Sequence, residues 1–244
     1  MRPSPATRLL LSALCMCTGS AMSPLHAQTA DVGGTIGVTN DYVYRGISQT
    51  SGNPALQADL HYRTPKGWIF GAWGSHADLR DGEGPQSEVD IYLGRSWTLN
   101  ADWDARVTLT HYMYPGDSRQ LKYDYDEVVT TLGYRSRLFA TVAWSPNVTR
   151  YANGPWVDDA TALSYELAAS QPLFSRLSAL AGVGYYDLPS KLDADYWFWN
   201  AGVSCTVGHA QLIVSYIDTD SNASRAFGYQ TTGGRWAGTV AWRF

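Results

Sequence analysis

The chain has 244 residues, with 18 Lys and Arg against 22 Asp and Glu and a formal net charge of −4. Charged residues make up 16%, below the ~25% of soluble domains, whereas 23 Gly, 10 Trp and 16 Tyr are plentiful. The mean hydropathy of −0.24 excludes a helical membrane bundle, the aromatic density excludes a disordered chain, and the missing basic excess argues against nucleic acid as a partner.

Residues 1–27 read as an export signal peptide: Arg2 and Arg8, the apolar run Leu9 to Cys17, then small-residue cleavage at Leu25-His26-Ala27 before Gln28. That run is shorter than the ~20 residues a membrane helix needs. Residues 28–244 are then one expected domain with 16 basic and 22 acidic side chains, net −6. Cys205 stands alone in it, so no internal disulfide is expected.

After the signal the pattern has period two. Gln57-Ala58-Asp59-Leu60-His61-Tyr62-Arg63 alternates polar and apolar without a break, and the beat recurs in Glu88–Leu93, Asp104–Leu109, Ser164–Leu167 and Arg235–Phe244. Successive strand side chains point to opposite faces, which predicts strands over 33–45, 54–64, 68–77, 88–98, 103–114, 123–134, 138–150, 159–170, 175–187, 195–205, 209–220 and 235–244. Helical spacing is not sustained anywhere in the domain. Connections after the even-numbered strands are short, such as Pro65–Gly67 and Arg135–Arg137; the others are longer and rich in Gly, Pro, Asp and Ser, such as Ser221–Gly234. This rhythm predicts an all-β, up-and-down antiparallel transmembrane β-barrel of about 12 strands.

Parity sorts the side chains. The polar face carries Asp41, Arg45, Asp59, His61, Arg63, Glu88, Asp90, Asp104, Arg106, Glu127, Glu166, Arg235 and Arg243, which are expected to line the lumen. The apolar face carries Tyr42, Tyr44, Tyr62, Tyr134, Trp144, Tyr185 and Tyr216, with Trp97, Trp197, Trp199, Trp236, Trp242 and Phe244 expected at the membrane interface. Trp and Tyr settle at lipid–water boundaries because one end of each ring is apolar and the other polar. Phe244 closes an alternating strand, as a partner for barrel assembly machinery would require.

Asn40-Asp41-Tyr42-Val43-Tyr44-Arg45-Gly46-Ile47-Ser48-Gln49-Thr50, Glu88–Tyr92, Tyr112–Gly116, Asp218–Asp220 and the closing Arg235–Phe244 strand resemble the TorF-type porin family, a conserved hypothetical family of proteobacteria. The resemblance implies a bacterial outer-membrane location and a pore, but neither a substrate nor catalytic residues. A 12-strand barrel leaves room for a narrow channel, so passive diffusion of small polar or ionic solutes is the expected function, with outer-membrane lipid and those solutes as partners. No cofactor, metal or catalytic site is expected: His61, His76, His111 and His209 are scattered without ligand spacing. Two alternatives are a structural, plugged barrel and a phospholipase-type outer-membrane hydrolase, for which His111 is the candidate base.

Overall fold

The computed structural model describes residues 30–79, 84–116, 123–151, 156–188 and 194–244; the expected signal peptide lies outside them. In chain order the elements are β1 (Asp31–Thr39), β2 (Val43–Tyr44), β3 (Ile47–Ser48), β4 (Ala55–Arg63), β5 (Trp68–His76), β6 (Ser87–Thr98) and β7 (Trp103–Met113). There follow β8 (Tyr125–Tyr134), β9 (Leu138–Tyr151), β10 (Trp156–Pro172), β11 (Leu177–Leu188), β12 (Ala194–Val207), β13 (Ala210–Thr219), the helix α1 (Ser221–Phe227) and β14 (Arg235–Arg243). Strands β1 and β4 to β14 form a closed antiparallel barrel of 12 strands, as the alternation predicts, with β1 paired to both β14 and β4. Closure leaves no unpaired sheet edge, the condition for placing strands in hydrocarbon. At the seam, Gly34 N–H donates to the Phe244 carbonyl at 2.9 Å and Phe244 N–H returns the bond at 3.0 Å. The Phe244 ring covers Gly34, where a Cβ would come within 2.7 Å of it.

Every wall strand divides its side chains as the pleat requires. On β4, Ala55, Gln57, Asp59, His61 and Arg63 are buried inside while Leu56, Leu60 and Tyr62 are exposed outside. Ile36, Ile91, Leu109, Leu132, Val142, Leu167, Val183, Val203, Leu212 and Val240 continue the exposed apolar surface around the barrel. Water would not tolerate this belt, since soluble monomers rarely expose contiguous apolar patches beyond a few hundred Å². Aromatic residues gather toward its two edges. Trp144, Trp197, Trp199, Tyr216 and Trp236 lie toward the long-loop end, and Trp97, Trp103, Trp242 and Phe244 toward the short-turn end, all exposed. The wall strands run from nine to 17 residues, enough to cross a bilayer at the usual tilt.

Three local features depart from the sequence pattern. The first strand ends at Thr39 instead of continuing to 45, and the chain turns inward. Tyr42 and Tyr44, expected on the lipid face, are therefore inside the barrel. In β9 the register slips: Ala162 faces Ser145 and Ala160 faces Val148, so one extra residue bulges and both Ser145 and Val148 are buried. Finally, α1 interrupts the expected loop at Ser221. Asp220 caps it by accepting from Asn222 N–H at 3.0 Å, and Ala223 is wholly buried against the wall.

Candidate functional site in the barrel lumen

The segment after β1 folds into the barrel at its long-loop end. Its β2 and β3 form a two-residue hairpin whose turn, Arg45-Gly46, has φ of 47° and 81°. Two successive positive φ values suit the right-handed twist of tight hairpins, and Gly provides the second without steric cost. The turn packs against β12 and β13, because a Cβ on Gly46 would strike Thr219 Cγ2 and Phe198.

Arg45 is the hub. Its guanidinium donates to Glu127 Oε2 at 2.9 Å and to Glu166 Oε1 at 3.3 Å. The rings of Tyr44 and Tyr186 both lie 4.7 Å from its Cζ. Glu127, on β8, also accepts from Ser145 at 3.0 Å, Tyr112 at 3.3 Å and Tyr44 at 3.4 Å. On the backbone side, Tyr196 hydroxyl donates to the Arg45 carbonyl at 3.0 Å. A buried ion pair repays its desolvation only when its remaining donors and acceptors also find partners, and here β7, β9, β10 and the hairpin's own Tyr44 supply them.

Asp41 fixes the hairpin base. Its carboxylate accepts from Ser48 Oγ at 2.5 Å, Thr50 Oγ1 at 3.0 Å and Arg235 Nη1 on β14 at 2.9 Å. Ser48 N–H donates to the Thr231 carbonyl at 2.8 Å. Apolar packing completes the seat: Ile47 joins Val148, Tyr186, Tyr196 and Phe198, and Val43 joins Ile217 and Ala237. Tyr42 packs on Trp73 at 5.4 Å and donates to Glu88 at 3.4 Å. Beside it on β6, Asp90 is also buried, with Trp73 and Tyr112 as its cross-strand neighbours.

The other half of the interior differs. Arg63 donates to His61 Nε2 at 3.0 Å, and His61 Nδ1 lies 2.6 Å from Asp59, which accepts from Tyr92 hydroxyl at 2.6 Å. Arg can only donate, so Nε2 is the acceptor and His61 is the Nδ1–H tautomer. Arg106 donates to Ser96 at 3.1 Å, Arg243 bonds Gln211, and Asp104 lies over Gly133. Facing this charged wall are small inward positions on β8 to β12, among them Thr131, Thr141, Ala168, Ser170, Gly182, Gly202 and Ser204. The hairpin thus occupies part of the lumen toward the loops, and toward the turns a charged wall faces one of mostly small residues that also carries Phe139 and Leu180.

All 13 polar-face positions fall inside the barrel, Asp41 and Arg45 on the hairpin and the rest on wall strands. Trp97, Trp197, Trp199, Trp236, Trp242 and Phe244 fall outside. Sequence reasoning missed Ser48, Thr50, Tyr92, Ser145, Tyr186 and Tyr196. Tyr92 shares the parity of Glu88 and Asp90, and Ser48 and Thr50 lie in the same block as Asp41, so these three were readable from spacing. His111 is on the outer face, bonded to Asp126 at 2.8 Å, which is held in turn by Asn147 at 2.8 Å.

A closed barrel with an apolar exterior and a charged interior defines a membrane-spanning β-barrel protein. The chain belongs to the family Gcw_chp, described as bacterial protein of unknown function, whose model matches residues 24–243. No curated protein matches it in sequence. Among solved structures, the NanC porin superposes with a TM-score of 0.57 at 8% identity, covering 86% of this chain and 98% of its own. The KdgM porin gives 0.52 at 7% identity, covering 88% and 99%. An outer membrane channel from Pseudomonas putida F1 gives 0.51 at 8% identity, covering 88% and 95%. At such identities the likeness is one of fold.

Proposed function

We propose that the protein is an outer-membrane porin through which small polar or ionic solutes diffuse passively, with the β2–β3 hairpin setting the constriction. The observation that carries this is the inverted barrel: apolar side chains outside, and Asp59, His61, Arg63, Arg106 and Arg243 around the interior beyond the hairpin. Its short turns face the periplasm and its long loops the exterior, the usual orientation of outer-membrane barrels. The porins and channel that share the fold, and the TorF-type resemblance of the Asn40–Thr50 block, support the same reading. The seven inward acids against five Arg favour cations slightly. Export by the signal at 1–27 and recognition of the Phe244 strand by barrel assembly machinery belong to this proposal, as does the absence of catalysis. In planar bilayers the folded protein is expected to give small, ohmic conductance steps. Silent membranes with an intact, heat-modifiable barrel support the second reading, a barrel closed by its own loop, which the depth of hairpin burial favours.

A further inference from the structure

Arg95 is a cation on the wrong side of the wall. It lies on the outward face of β6 between Leu93 and Trp97, directly across from Trp68 on β5. Its Cζ sits 5.0 Å from the Trp68 ring and 5.2 Å from the Trp97 ring. Its Nε is buried without a hydrogen-bond partner, and no carboxylate among the described residues pairs with it. A guanidinium clamped between two indoles and facing lipid has its charge and planar donor fork unused, the arrangement that suits a phosphate oxygen pair.

Depth points to the same ligand. Arg95 stands three residues before the end of β6 at Thr98. At ~3.3 Å per residue and a tilt of ~40° this is roughly 8 Å inside the short-turn end, within reach of a headgroup for an arginine that snorkels outward. The turns at that end carry Lys66, Arg135, Arg137 and Arg176 against Asp102, which is already paired with Arg135 at 2.8 Å. Lys66 lies next to Gly67, whose carbonyl accepts from Ser96 N–H at 3.0 Å, beside Arg95. A basic rim of this kind favours lipids with net negative headgroups.

We infer that Arg95, held by Trp68 and Trp97, binds the phosphodiester of an anionic glycerophospholipid in the leaflet facing the short turns. The inference rests on the membrane-spanning reading but not on an open lumen, so lipid retention and conductance fail independently. The test is native mass spectrometry of the folded full-length barrel with phosphatidylglycerol or phosphatidylcholine. The wild type keeps the phosphatidylglycerol adduct at activation energies that strip phosphatidylcholine, Arg95→Gln loses that preference, and Arg225→Gln, on α1 at the opposite, long-loop end, keeps it. Should Arg95→Gln fail to fold, Trp97→Leu, which retains the charge and removes one ring face, shows the weakened adduct. Equal retention of the two lipids by wild type, or an unchanged preference in Arg95→Gln, overturns the site. Full displacement of the lipid by excess inorganic phosphate overturns its lipid character and leaves a simple anion site.

Discussion

Arg45 and Glu127 are 82 residues apart in the chain, yet their side chains meet at 2.9 Å in the barrel interior, 1% and 0% exposed. The pair joins a loop to the wall, not wall to wall, so the barrel's own hydrogen-bond ladders do not depend on it. Removing one partner of a buried ion pair costs about 3–5 kcal/mol because the other charge is stranded. In Arg45→Ala that cost falls on the docking of the hairpin. The variant is expected to fold as a heat-modifiable barrel, to be cut by external protease within residues 40–53, and to show larger conductance steps. Steps of unchanged size would mean that the hairpin is not the constriction.

Gly46 separates displacement from charge. A valine there must hold a φ near +81° and place its side chain into Thr219 and Phe198. Left-handed strain at a β-branched residue costs about 1–3 kcal/mol before any collision. Gly46→Val leaves every lumen charge in place and is expected to reproduce the larger steps of Arg45→Ala without its change in ion selectivity. Reversal potentials in asymmetric salt distinguish the two variants; identical selectivity shifts would contradict the separation.

The wall was legible because one face of every strand meets lipid and the other does not, and that contrast writes itself as alternation. The hairpin was not. Asp41-Tyr42-Val43-Tyr44-Arg45 alternates like a strand, so parity extended β1 through it and sent Tyr42 and Tyr44 to the lipid face. Its sequence signal was Arg45-Gly46 itself, a two-residue turn flanked by β-forming residues. Helix α1 escaped because seven residues make fewer than two turns, too few for a helical period to show. The bulge near Pro146 escaped for a related reason: one inserted residue reverses parity without altering composition.

Leu60 tests the orientation of the wall. It sits near the middle of β4, 57% exposed, between the buried Asp59 and His61. An arginine facing lipid near the bilayer midplane costs about 2–4 kcal/mol, whereas on a water-facing surface the same change is nearly neutral. Leu60→Arg is therefore expected to lower the stability of the barrel in vesicles by that amount, read from its urea or guanidinium unfolding midpoint. No loss would place this face in water.

Phe244 offers a test of whether barrel closure and assembly share one residue. Its backbone pairs with Gly34 through two hydrogen bonds, and its ring fills the surface that Gly34 leaves bare. Phe244→Ser keeps the backbone pairing and removes only the ring, so the purified chain is expected to refold in detergent with a heat-modifiable band close to wild type. In cells the same variant has to be handed to the assembly machinery by a terminal strand that has lost its last aromatic group. Its outer-membrane level is expected to fall several-fold while the unfolded chain accumulates in the periplasm, measured by fractionation and immunoblot. A parallel loss in detergent would assign Phe244 to the stability of the seam alone, and equal membrane levels would deny it either role.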